Sequence, residues 1–276
     1  MDNATFTSLA TGLLVVVGIA QAAVLVGQRR QQRLDWVEIY RHRWSDMQQS
    51  FAQVIYLGRE YGAYYQVADL DFIERLNAAT AKATLNAPTI WARASARDVC
   101  GILSDVCQRM MQGRLHVQEV YPIFGTELLR HSAALRALLD GSYLPIYGKS
   151  GPSDADRRHD NIRREVQTWL VCHDGIRRRC LILIDLLWAE AARLEDLPPE
   201  DLMRAAEAKK LTGERNRTRL LNEVLRLNGR SAIFRGMRLA RFLRHAEYRT
   251  SARGIGLDPE RLKRLDSEWT TRYLGT

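Results

Sequence analysis

Apolar residues recur along this chain with a helical period almost from end to end, and the one exception is a stretch with no polar face at all. From Asn3 to Gln28 no residue is charged, and Leu13-Leu14-Val15-Val16-Val17-Gly18-Ile19 is continuously apolar. About twenty such residues in a helix cross the ~30 Å core of a bilayer. Residues 6–28 are therefore expected to form a transmembrane helix. A cleaved signal peptide is the competing reading, because Ala20-Gln21-Ala22 imitates a small-residue cleavage site. The flanks oppose it: a signal peptide carries positive charge before its apolar run, whereas here Asp2 precedes the run and Arg29, Arg30 and Arg33 follow it. The same asymmetry retains the basic side in the cytoplasm, which puts the N-terminus outside and the rest of the chain on the cytoplasmic face of the inner membrane. Ser8 with Gly12, and Gly18 with Ala22, are spaced four apart, as on the small-residue faces where two membrane helices approach. They are the candidate oligomerisation residues, and Gln21 adds a polar group to the same span.

Beyond the span, Val37, Tyr40, Trp44, Met47, Phe51 and Val54 follow alternating spacings of three and four, which predicts a stalk with a narrow apolar seam. Gly58 and Gly62 weaken it, and residues 69–85 read as a shorter helix. Pro88 opens the next, whose Val99, Ile102, Leu103, Val106, Cys107 and Met110 make a wide buried face, ended by Gly113 as a C-terminal cap. Another helix is expected from Gln118 to Leu139, with Pro122 tolerated in its first turn. Residues 141–152 hold three glycines and two prolines, the best linker in the chain. This divides residues 29–140, stalk and first helical domain, from residues 153–276, a second, basic helical domain. There Ile162, Val166, Trp169, His173, Ile176, Cys180, Leu183 and Leu187 keep a strict four-three alternation, a coiled-coil-like seam on one long helix. Pro198 and Pro199 end it. Further helices follow, including Arg230 to Arg249 and Asp258 to Leu274. No strand-period run competes, so the fold class is all-α.

Composition agrees, since only 7 prolines stand among 276 residues, with 46% hydrophobic and 26% charged. These proportions exclude a disordered chain. A formal charge of +9 points to an anionic neighbour, either nucleic acid or lipid headgroups. Cys100, Cys107, Cys172 and Cys180 lack the two-residue spacing of a zinc knuckle or redox pair and read as reduced core residues. No cofactor and no metal is expected.

Candidate chemistry is sparse. His159-Asp160 and His173-Asp174 are two His-Asp pairs of the kind that metal phosphohydrolases gather, and fourteen residues place them on nearly one side of a helix. The position of His173 in the apolar seam favours a core histidine instead. Arg109 and His116 form a candidate catalytic pair, the histidine as acid or base and the arginine on phosphate. The segment Arg230 to Arg253 holds seven arginines against Glu247. Within it Arg235, Arg238, Arg241 and Arg244 recur every three residues as one broad basic side, a candidate phosphate-binding face for nucleic acid or lipid. The competing reading is a solvated face, with Ile233, Phe234, Met237, Phe242 and Leu243 packed inward.

The apolar span with Arg29-Arg30, the run Leu34-Asp35-Trp36, and the run Gly113-Arg114-Leu115-His116-Val117-Gln118-Glu119-Val120-Tyr121-Pro122-Ile123-Phe124-Gly125 carry a resemblance. Over residues 6–140 the chain resembles bacterial proteins with one N-terminal membrane helix and a small cytosolic helical domain. It is similar in layout to the membrane accessory protein of some RNA-targeting CRISPR systems. The resemblance implies oligomerisation into a membrane pore and a role in phage defence, and its Arg-to-His pair would fall on Arg109 and His116. Everything after Gly151 departs from it.

The leading expectation is a membrane-anchored, self-associating effector with the lipid membrane, further copies of itself, and nucleic acid or another defence protein as partners. A membrane-tethered nucleic-acid-binding module is the second reading. A helical ribonuclease or metal phosphohydrolase is the third.

Overall fold

The computed structural model describes residues 3–58, 87–140, 154–194, 217–243 and 267, and among them the protein is helical apart from short turns, with no strand. Helix α1 spans Asn3–Asp46, 44 residues, or roughly 66 Å at the helical rise. It does run on beyond residue 28, as the periodicity predicts. Every described side chain from Gly12 to Gln32 is exposed, Leu14, Val16, Ile19 and Val26 among them. By length and composition α1 is able to cross a membrane. The chain divides at Arg43 into this helix and a compact unit from Trp44 onward.

In the compact unit, a turn at Met47 leads into α2 (Gln48–Gly58). The Trp44 ring lies 4.8 Å from that of Phe51 and 4.9 Å from that of Phe124, and its indole N–H donates to Glu127 at 2.9 Å. Of the sequence seam, Tyr40, Trp44, Phe51 and Val54 are buried and Val37 and Met47 half-buried, but Phe51 and Val54 belong to a domain core rather than to a stalk. Periodicity identifies the face that is covered and not what covers it.

Helix α3 (Ala87–Met111) has the expected inner face, with Val99, Ile102, Leu103, Val106, Cys107 and Met110 all buried. It ends as the sequence predicts. Gly113 has φ +74°, its N–H donates to Met110 O and that of Arg114 to Arg109 O, both at 2.9 Å, the paired bonds of a Schellman cap. The helix expected over 118–139 is two, α4 (Val117–Arg130) and α5 (Ser132–Asp140), divided at His131. The long helix expected through the coiled-coil seam is likewise two, α6 (Asp154–Cys172) and α7 (Asp174–Leu194). Its break falls at His173, whose carbonyl accepts the first bonds of α7 from Ile176 and Arg177. Asp174 then occupies the helix N-terminus, where a carboxylate is favourable. Residues 217–228 form α8, followed after Gly229 by a 3-10 turn, Arg230–Ala232, and α9 (Ile233–Phe242). The expected helices at 69–85 and 258–274, and the 141–152 linker, lie outside the described residues.

Helix α7 is the centre of the unit. Every residue from Cys180 to Ala191 is buried, as in a helix that is surrounded rather than seated on a surface. α3, α4, α5 and α6 all pack against it. The boundary expected at 141–152 therefore does not separate two cores, because the most buried helix of the second half completes the first. Three of the four cysteines are core residues as expected, and Cys172, at the end of α6, is exposed. Gly125, of the resemblance run, is a packing glycine: a Cβ there would overlap the ring of Tyr121.

The two halves are also joined by side chains that end helices. A helix leaves its last carbonyls without partners, and a cation is favourable there. Arg163 of α6 donates to Gly58 O at the end of α2 at 3.1 Å. Gln167 donates to Ala137 O in the last turn of α5 at 3.3 Å. Asn228 and Arg235 donate to Met111 O and Gln112 O at the end of α3, at 3.2 and 2.7 Å. Within the second half, Arg193 likewise donates to Phe242 O at the end of α9 at 2.8 Å and lies 3.7 Å over the Phe242 ring. Part of the positive charge is thus engaged by helix ends of this same chain.

His131, at the α4–α5 break, is buried with its ring in edge contact with Phe51 at 6.2 Å. Burial, and then the neighbouring Arg130 charge, lower its pKa from 6.5 to about 4. As pH falls below 6.5 the unfolded chain takes up this proton before the folded one, so stability declines until about pH 4 and levels off below it. The loss is expected to reach about 3 kcal/mol. Denaturation midpoints measured across that window should show the decline, and His131→Gln should remove this component of it.

Candidate functional site

The described candidate arginines of the basic helix, Arg235, Arg238 and Arg241, are not equivalent. Arg235 sits against Gly113, whose added Cβ would lie 3.0 Å from the guanidinium, and donates to Gln112 O. One of its amino groups thus bonds the end of α3, and the residue also lines the cleft described below. Arg238 and Arg241 are exposed, and among the described residues their guanidinium groups have no hydrogen-bond or ion-pair partner. Arg244 lies outside the described residues.

Arg109 and His116 also part. Arg109 belongs to α3 and pairs with Asp105 one turn earlier, Nε to Oδ2 at 3.3 Å, with 17% of its side chain exposed. The Schellman turn reverses the chain after it. His116 then stands exposed at the N-cap of α4, its backbone N–H donating to the Glu119 carboxylate at 2.9 Å. The expected catalytic pair thus has its arginine committed elsewhere.

What the fold brings together instead is His116 with Arg235 and Arg238. Met110, Gly113, Leu115, His116, Val117, Gln118, Arg235, Arg238, Leu239 and Phe242 enclose an open cleft of about 210 Å³. The α3–α4 turn supplies one wall and α9 the other, α9 being held there by Arg235 on Gln112 O and by Gly236. At Gly236 a Cβ would come within 2.7 Å of Leu221. Two guanidinium groups, an imidazole and an amide line the cleft, with no carboxylate. Such a lining attracts an anion, and a planar guanidinium with free N–H groups matches phosphate oxygens. The volume suits a phosphate group with part of its ester; whole cofactors occupy larger pockets. Only His116 among the lining side chains is a suitable proton carrier, so the arrangement favours holding an anion over cleaving an ester.

The His-Asp pairs do not converge on a metal. His159 Nε2 lies 3.2 Å from Tyr56 O, and its ring meets that of Tyr56 at 5.2 Å. His173 is exposed rather than in a seam, with Nδ1 2.8 Å from Trp169 O and its ring stacked at 4.5 Å on Trp169. Asp174 pairs with Arg177 at 2.8 Å and Arg178 at 3.3 Å. Among the described residues no three His, Cys, Asp or Glu side chains are grouped to hold a metal ion.

Of the oligomerisation residues, Ser8 lies in α1 where side chains are not among the described ones. Gly12 and Gly18 have no atom within 4 Å of an added Cβ, and Ala22 is exposed. The face is open to a neighbour. Searches of protein-family models, curated proteins and solved structures return no match to this chain.

Proposed function

We propose that this chain is a membrane-anchored interaction protein, with α1 as a single span in the inner membrane, its N-terminus outside, and the helical unit held in the cytoplasm to bind a phosphate-bearing partner through the His116–Arg238 cleft. The observation that carries the reading is α1 itself. Its side chains from Gly12 to Gln32 are all exposed, a run that water would penalise at about 25 cal/mol per Å² of apolar surface and that hydrocarbon would accept. Arg29, Arg30 and Arg33 set the orientation.

Extraction and protease protection test it together. The full-length chain should resist alkaline carbonate extraction and keep its N-terminal residues. In sealed inverted membrane vesicles the helical unit should be digested. A mature chain beginning at Ala23 and recovered as soluble protein would instead make residues 1–22 a cleaved signal and end the reading.

Self-association through Gly12, Gly18 and Ala22 is the second reading, favoured by their open positions on α1 and by the compatibility of small residues with close helix crossing. With the resemblance, it would make the protein an effector that assembles in the membrane and changes its permeability during phage defence. The mass of the full-length protein in nanodiscs decides it. A defined multimer reduced by Gly18→Leu supports assembly, and a monomer at all concentrations removes it.

A further inference from the structure

Helix α9 has an outer face that contradicts the usual rule for a surface helix. The reading that packs Ile233, Phe234 and Met237 inward is overturned: Phe234 is 81% exposed, Met237 52% and Ile233 37%. Gly236 and Leu243 face the core instead. At 100° per residue, Ile233, Met237, Arg241, Phe234 and Arg238 fall within about 140° of the helix surface. The exposed side is therefore apolar and cationic at once, and no carboxylate occurs from Arg230 to Phe242.

We propose that this face of α9 docks on the surface of an anionic bilayer, with Phe234 and Met237 at the acyl boundary and Arg238 and Arg241 on headgroup phosphates. Water solvates the arginines well and the apolar side chains badly; a protein surface with its own core does the reverse. The interface of an anionic membrane serves both, and it is where basic amphipathic helices with exposed aromatic and aliphatic side chains settle. Long guanidinium side chains reach the headgroups while their stems remain against apolar surface. Single-stranded nucleic acid offers the same charge but calls for rings on which bases stack. Here one exposed ring stands beside two aliphatic side chains, which favours lipid. The inference rests on the anchored reading, because a tether would hold the helical unit at high effective concentration near the bilayer.

A label on α9 tests it in the full-length protein. Cys100, Cys107 and Cys180 are buried, so Cys172→Ser leaves a background in which Met237→Cys accepts a polarity-sensitive fluorophore. The protein is placed in nanodiscs of phosphatidylcholine, with and without phosphatidylglycerol, and quenched by brominated acyl chains. The expected result is a blue shift and quenching only with the anionic lipid. Arg238→Gln with Arg241→Gln should weaken docking about 30-fold. Equal emission in both discs, or quenching that survives the double change, overturns the proposal. So does a shift that follows protein concentration or added single-stranded RNA rather than lipid charge, which would assign the face to a second copy or to nucleic acid. Recovery of protein in the disc fraction reports anchoring by α1 separately, so failure of the span and failure of the docking face give different results.

Discussion

Replacing Arg136 with methionine is expected to cost the helical unit about 3–5 kcal/mol. Arg136 of α5 forms an ion pair with Asp185 of α7, and both are buried, Asp185 at 0% exposure. Asp185 interrupts the apolar run Leu181 to Trp188, every residue of which is buried. Removal of the guanidinium leaves the Asp185 carboxylate without this counter-charge in a site where water cannot reach it, and the cost is that of a buried charge rather than of a lost contact. A second substitution separates these. Asp185→Leu in the Arg136→Met background removes the remaining buried charge and should restore most of the stability, since apolar replacements of buried pairs are often neutral or better. Thermal unfolding of the full-length protein in mild detergent should show the single variant lower in Tm by roughly 10 °C. If Arg136→Met and the double variant melt together, the pair does not organise the α5–α7 contact.

The origin of that pair shows what a sequence of this kind can and cannot reveal. The inner face of α3 and its Gly113 cap were legible, because burial periodicity and a positive-φ glycine are local features. The break at His173 was harder to read, since the apolar spacing continues through it. Asp174-Gly175 was the local signal, a carboxylate at a helix start followed by a weak helix former. Nothing local marks Arg136 and Arg163 as buried, or Arg193 and Arg235 as exposed side chains that bond the ends of distant helices. Each acts on a group 49, 105, 49 or 123 residues away in sequence, so their positive charge looked like surface charge. The same separation hid the cleft. In the sequence His116 and Arg238 belong to two separate candidate sites, and only the seating of α9 beside the α3–α4 turn places them on one cavity. Conversely, the apolar residues of α9 looked like an inner face because an amphipathic helix usually packs that way, whereas Gly236 turns its bare side to Leu221 and leaves Phe234 outward.

Reversing one charge in the cleft should remove phosphate binding and leave the fold intact. Arg238 is the residue to change, because it lines the cavity and has no hydrogen-bond or ion-pair partner among the described residues, whereas Arg235 also caps α3. A charge-assisted hydrogen bond contributes about 1.5–3 kcal/mol, so Arg238→Ala should weaken a phosphate ligand roughly 10- to 100-fold. Arg238→Glu should abolish binding, since a carboxylate would then repel the anion. His116→Ala should cause a smaller loss, and Arg109→Ala almost none, because Arg109 is paired with Asp105 outside the cleft. The probe is a fluorescent phosphorylated oligonucleotide titrated onto full-length protein in zwitterionic nanodiscs, with affinity followed as salt is raised. The wild type should weaken steeply with salt and Arg238→Ala less so, as one phosphate contact is lost from the slope. Unchanged affinity in Arg238→Glu, with unfolding at the wild-type temperature, would remove the cleft from the binding surface. Loss of affinity in Arg109→Ala alone would return the site to the pair that the sequence first suggested.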